Sequence, residues 1–389
     1  MTCCYAHGLL VVIGMRLGEH KLTRFHAEQG LAVARHLGAP SLEVIFRCRL
    51  AHVELVAGAW EESLRHGTEA VSLARRMRHA RNLAFALAGR AMTLTLLGDL
   101  SEAAGCISEL RQACGSVGTT DRYVNGLADM AETTLALERG QVERALAIPM
   151  DFVASSESIY PAGKPCAKGI GLIPPYMPMG LMLLAEAQAV MGEPERALET
   201  ARRLRDLGPV GNRYLEALAS RSEGLARKAL GDRDVAIVRL GEAAELFVEL
   251  EMPFEAARAG LDLATAALNG TAGQREQATA TAQQSLGTFE RLGAQRYAKR
   301  TRQLLRGLGE VILATRHPRL AGVAVSEREL EIARLVTEGM TTPEIARRLI
   351  LSPRTISRHL ERLYARLGIG TRTALARCVI EAGLAQLKK

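Results

Sequence analysis

The sequence predicts an all-α chain in two parts, a solenoid of helical hairpins followed by a small four-helix module. Three observations carry this. Hydrophobic residues make up 48% of the 389 positions and aromatics only 4%, while alanine, leucine, arginine and glutamate are abundant, a composition that favours helix over sheet. Glycines recur at a near-constant interval through the first four-fifths. Helix start and stop signals then crowd together in the last fifth.

The repeat comes first along the chain. Gly18, Gly58, Gly98, Gly140, Gly192, Gly231 and Gly273 are separated by 40, 40, 42, 52, 39 and 42 residues, and each follows an apolar helical stretch. Such a period marks hairpins with a glycine at each turn. Five residues after every glycine but the first stands a small residue: Ser63, Ala103, Ala145, Ala197, Ala236 and Ala278. A small side chain at a fixed offset lets the second helix of a hairpin approach the first closely. In one unit, Leu50, Val53, Leu55 and Val56 end the first helix, Gly58 turns the chain, and Leu64, Ala70, Leu73 and Ala74 line the second. Neither stripe buries itself alone, so stacking must supply the core. Trp60, the only tryptophan, opens a second helix and is expected to pack between repeats.

The 52-residue interval holds an insertion. From Ile148 to Gly180 come six prolines, among them Pro161, Pro165 and Pro174, with Tyr160 and Tyr176. Proline at this density stops a helix. A loop on the repeat scaffold is expected there, either a tucked structural loop or a binding site.

The last fifth is punctuated differently. Ser326-Glu327-Arg328-Glu329 has the form of a capping box and starts a helix whose apolar face is Leu330, Ile332, Ala333 and Val336, with Gly339 where a left-handed cap is wanted. Thr341-Thr342-Pro343-Glu344 repeats the device for a short helix carrying Ile345, Ala346 and Leu349. Ile350 and Leu351 are expected to form the turn. Ser352-Pro353 then starts a third helix with Ile356, Leu360, Leu363 and Leu367 inward and Arg354, Arg358, Glu361, Arg362 and Arg366 on other faces, ended by Gly368. Thr371 and Arg372 open a last helix running to Gly383.

A short helix, a tight turn and a longer helix with a basic outer face form the arrangement that sets a recognition helix in the major groove. Charge supports it. Residues 311–389 hold 14 of the 50 Lys+Arg and 7 of the 42 Asp+Glu, net +7, which leaves +1 for the first 310 residues. Phosphate neutralisation is expected in that last fifth. Arg358 points away from the Ile356/Leu360 face and is the candidate for a base-edge contact, because a guanidinium can bond guanine O6 and N7 together. Ser357 is placed to donate to a base or a phosphate. Arg354, Thr355 and Arg362 stand where phosphate contacts fix docking, and Arg347 and Arg348 of the preceding helix face backbone or solvent.

The motifs Val325-Ser326-x-Arg328-Glu329-x-Glu331-Ile332, Gly339-Met340-Thr341-x-x-Glu344-Ile345-Ala346, Leu349-x-Leu351-Ser352-x-x-Thr355-Ile356-x-x-His359-Leu360 and Leu367-Gly368-Ile369-x-x-Arg372 resemble the LuxR-type helix-turn-helix over about 60 residues. The resemblance implies that the helix from Pro353 to Leu367 is the recognition helix, that the last helix supplies a dimer contact, and that the partner is double-stranded DNA. His359 matches the family's histidine. One position departs: where the family often has lysine, two residues after the recognition-helix threonine, this chain has Ser357, so the lysine contact is not carried over. The glycine-to-small-residue offset in turn resembles tetratricopeptide repeats, although those units usually run about 34 residues. That resemblance implies a curved array with a concave surface open to an effector or protein partner, not identified by the sequence.

The domain division expected is therefore 1–308 helical repeats, 309–324 linker and 325–389 helix-turn-helix domain. The chain resembles the C-terminal half of large ATP-binding LuxR regulators, but it holds no G-x-x-x-x-G-K-[ST] phosphate loop. No H-E-x-x-H, G-x-S-x-G or metal-type Cys/His cluster occurs, so no enzyme activity, cofactor or metal is expected. The seven cysteines lack paired spacing and read as reduced thiols. The apolar run Leu9 to Ile13 is too short to span a bilayer, and the cytoplasm is the expected compartment. Two functions remain open: a dimeric transcriptional regulator whose repeats sense an effector, or a repeat-based interaction scaffold with weak or lost specific DNA binding.

Overall fold

A computed structural model of the chain describes residues 2–118, 121–148, 176–308, 319–320, 323–325, 327–349 and 353–382. Most of the insertion from Ile148 to Gly180, most of the linker, Ser326, the Ile350-Leu351 turn, Ser352 and Gly383 lie outside the described residues. Two compact units result, Met1–Glu310 and Val311–Lys389.

The first unit is a run of antiparallel helices: α1 (Thr2–Leu17), α2 (His20–His36), α3 (Pro40–Val56), α4 (Trp60–Met77), α5 (Ala80–Leu97), α6 (Leu100–Val117), α7 (Arg122–Glu138), α8 (142–148), α9 (Met177–Val190), α10 (Pro194–Asp206), α11 (Arg213–Leu230), α12 (Arg233–Glu249), α13 (Pro253–Ala266), α14 (Ala272–Leu292) and α15 (Gln295–Gly307). Consecutive helices pair as hairpins, as the period requires. The residue five positions after each turn sits at the point of closest approach. Ser63 is 1% exposed, and Ala103, Ala145, Ala197, Ala236 and Ala278 are 0% exposed. Leu50, Val53, Leu55, Ala70 and Ala74 are buried, with Val56, Leu64 and Leu73 packed partly against them.

Six of the seven periodic glycines turn the chain with positive φ, from Gly140 at 72° to Gly231 at 87°. Gly273 does not. It lies in the first turn of α14, and the reversal falls earlier, at a single 3₁₀ turn (Ala267–Asn269) and Gly270, with Thr271 capping α14 through the amide of Gln274 at 3.3 Å. A capped 3₁₀ turn replaces the glycine there.

The early hairpins also pack onto the late ones. A Cβ on Gly18 would meet Leu250 and Tyr214 at 3.0 and 3.1 Å, and one on Gly58 would meet Leu292 and Pro253 at 2.6 and 3.1 Å. Trp60 packs edge-on against Phe254 with ring centroids 5.1 Å apart, while its Nε1 donates to the Leu55 carbonyl. Tryptophan therefore joins distant hairpins rather than successive ones. After α1, the first helix of each hairpin is buried along much of its length, and two polar clusters lie in the interior. Arg49 donates to the hydroxyls of Tyr123 and Tyr176 at 2.9 and 3.0 Å and lies over the Phe85 ring. Arg221 bonds Asp262 at 2.8 Å and Glu186 at 3.0 Å, and Arg258 reaches the same Glu186 at 2.6 Å. Desolvation would raise the half-buried Glu186 carboxyl, but the two guanidiniums outweigh it and hold it down, at about 2. Buried charge survives here because each group has partners.

Cys4, Cys48, Cys106 and Cys114 are buried, Cys3 and Cys378 are not, and all six are free thiols. Cys166 lies outside the described residues. Burial pushes the Cys48 thiol up to about 12, which makes it inert. Among the described residues no helix is long and apolar enough to cross a membrane.

Candidate nucleic-acid interface

The second unit holds α16 (Glu327–Thr337), α17 (Thr342–Arg348), α18 (Pro353–Leu367) and α19 (Arg372–Glu381). The all-α expectation has one exception, a two-residue antiparallel ladder pairing β1 (Arg319–Leu320) with β2 (Val323–Ala324) just before α16. Leu320 is fully buried and anchors that ladder on the helical core. The predicted apolar faces meet there: Leu330, Ile332, Ala333 and Val336 of α16, Ile345 and Ala346 of α17, and Ile356, Leu360 and Leu363 of α18 are all buried. Leu375 and Val379 of α19 close it.

The predicted stops are in place. Gly339 and Gly368 take φ of 80° and 65°, so each ends a helix in the left-handed region. At the start of α17 the Thr341 amide and hydroxyl both donate to Glu344 Oε2 at 2.7 Å, which holds that carboxyl below its usual range. Thr371 Oγ1 accepts the Ala374 amide at 3.2 Å and caps α19. Ser326, the other proposed cap, lies outside the described residues. The glutamate of that box, Glu329, is 7% exposed and receives Arg366 Nη1 at 2.7 and 2.9 Å.

This ion pair ties the C-terminal turn of α18 to α16. Sequence reasoning gave Arg366 only an outer face. Arg328 makes a second tie, donating from Nη2 to the Leu349 carbonyl at 3.0 Å, so that α16 caps the end of α17 next to the turn. Arg372 donates to the Met340 carbonyl and secures the loop between α16 and α17. All three contacts span 21 to 37 residues of sequence, beyond the reach of helical periodicity.

With the Ile356, Leu360 and Leu363 stripe inward, the opposite side of α18 carries Arg358, Glu361, Arg362 and Ala365. Arg362 is exposed, and Arg358, Ser357, Thr355 and His359 are half-buried. Arg347 and Arg348 of α17 are exposed. The side chain of Arg354 lies outside the described residues. The fold thus brings five of the six candidates, with backbone order for the sixth, onto α18 and the end of α17.

Residues 323–379 match the model of the bacterial regulatory proteins of the luxR family. Curated relatives include putative HTH-type transcriptional regulators of Mycobacterium bovis and Mycobacterium tuberculosis, each 30% identical over 201 residues, a stretch covering 51% of this chain and 21% of the relative. The chain thus matches about a fifth of the length of these relatives. Among solved structures, the TPR2AB domain of yeast Sti1, in a complex described with pHSP90, is similar over 79% of this chain and 99% of its own at 14% identity, with a TM-score of 0.29. The chain therefore carries a LuxR-type helix-turn-helix domain at its C-terminal end, behind an array of helical hairpins.

Proposed function

We propose that the chain is a DNA-binding transcriptional regulator whose helix α18 enters the major groove. The observation that carries this reading is the two-sided character of α18, with a buried aliphatic stripe on one side and arginines on the other, its C-terminal turn tied to α16 by the Arg366–Glu329 ion pair. Arg358 reads a base edge, most favourably guanine O6 and N7. Arg354, Thr355 and Arg362, with Arg347 from α17, hold phosphates, and Ser357 bonds a base or a phosphate. Two copies bind an inverted repeat with half-sites about one helical turn apart, and α19 supplies the contact between them. The hairpin repeats sense an effector or partner, and the chain works in the cytoplasm without a catalytic step of its own.

Two substitutions test the assignment. Arg358→Ala is expected to relax preference at one base pair by about 1–3 kcal/mol. Arg362→Ala is expected to weaken binding to every sequence and to lower the salt slope by about 1. Equal losses on all sequences for both variants, read in a competition assay with scrambled sites, would remove the base-reading role of Arg358.

A further inference from the structure

A cavity of about 630 Å³ opens in the repeat unit between α6, α7 and the start of α8. Its floor is apolar, made by Ala104, Ile107, Leu135 and Ala136. Its walls carry three arginines, Arg111, Arg139 and Arg144, against one lining carboxylate, Glu132.

That carboxylate is already shared. Glu132 Oε2 accepts Arg111 Nε and Nη2 at 2.9 and 2.6 Å, and its Oε1 accepts Arg144 Nη2. Arg111 also reaches Asp129 at 2.8 Å, outside the lining, and Arg139 donates to the Leu100 carbonyl at 3.0 Å. The two guanidiniums hold the Glu132 carboxyl below the usual carboxylate range, so it stays charged and cannot offset the surplus further. Arg144 keeps Nε and Nη1 without a partner among the described residues, on a side chain that is 57% exposed. We infer that this cavity binds a small organic anion with an apolar body, the acid group on Arg144 and Arg111 and the hydrocarbon on Ile107 and Leu135.

Three features select that class. The volume falls within the range of small-molecule sites. Guanidinium donors left over in a partly enclosed wall favour a carboxylate or an equivalent acid group, which they can bond at two atoms. The four apolar floor residues would gain nothing from an inorganic ion, while a neutral hydrocarbon would cover the spare Arg144 donors without bonding them. The inference deepens the reading of the repeats as the sensing part and rests on it.

The test is a fluorescence titration of the full chain with 8-anilinonaphthalene-1-sulfonate, an acid on an aromatic body. A saturable site is expected, displaced by octanoate and not by octan-1-ol. Arg144→Glu is expected to weaken it at least tenfold and Ile107→Asp to abolish it, with helicity by circular dichroism unchanged. Arg233→Glu on the exposed start of α12 is expected to leave it as it was. No saturable signal, undiminished affinity in Arg144→Glu, or loss of the signal in Leu9→Glu on the exposed side of α1 instead, each overturns the site. DNA retention measured with and without saturating octanoate separates the two readings. A change supports sensing through this cavity. Probe binding without any change keeps the site and overturns its regulatory role.

Discussion

Glu329 sits at position three of a proposed capping box, and in the fold its carboxylate anchors Arg366 of α18. Local spacing suggests the cap, whose Ser326 lies outside the described residues. The ion pair was not legible in spacing, since it depends on how α16 and α18 cross. Glu329→Ala removes the acceptor of a charge-assisted bond at a buried position, and the expected cost is about 1–3 kcal/mol. Chemical denaturation followed in the C-terminal unit would check this, and Arg366→Lys, which keeps the charge and the carboxylate but loses the guanidinium geometry, should cost only part as much. Arg358 and Arg362 were legible for the opposite reason, because their direction follows from helical phase against Ile356 and Leu360 alone. Ser357 remains the one position where the resemblance and the chemistry of the side chain point to different donors.

Turns decide the elements of the repeat unit. Positive φ occurs at Gly18, Gly38, Gly58, Arg78, Gly98 and Gly118, a reversal every 20 residues. The glycine period of about 40 captured only the turn inside each hairpin. The alternate turns escaped because two of them use Arg78 and Glu251, at φ of 52° and 56°, where glycine would be the usual choice. Gly98 and Gly58 now make a matched pair. A Cβ at Gly98 meets nothing within 4 Å, while one at Gly58 runs into Leu292 and Pro253. Gly98→Ala is expected to cost only the left-handed strain, about 1–2 kcal/mol. Gly58→Ala should cost clearly more, since it also pushes the second hairpin off α13 and α14. Urea midpoints of the repeat unit compare the two, and equal losses would mean that the early and late hairpins do not press on each other.

At the scale of the whole molecule, hairpin stacking was legible in the sequence and the filled interior was not. Arg49, Arg221 and Arg258 look like solvated helix positions, yet their partners lie 74, 41 and 72 residues away. Burial also leaves three histidines neutral: desolvation lowers His20 and His66 to about 4 and His52 to about 3. These values lie below the 6.5 of the unfolded chain, which therefore takes up protons first. Their contribution to stability is complete above pH about 6.5 and is lost as pH falls toward 4. The urea midpoint of the repeat transition should drop across that window, and His52→Gln should flatten part of the drop. The second unit is organised by a different demand, a basic helix face kept at fixed orientation by α16. Whether that face reads sequence is the claim on which the regulator account turns. The most direct measurement is retention of genomic DNA fragments by the full chain at two salt concentrations. The account predicts that a small set of fragments stays bound at the higher salt. Retention that is blind to sequence and collapses steeply with salt would contradict it, and would leave the chain an interaction scaffold with a vestigial DNA-binding module.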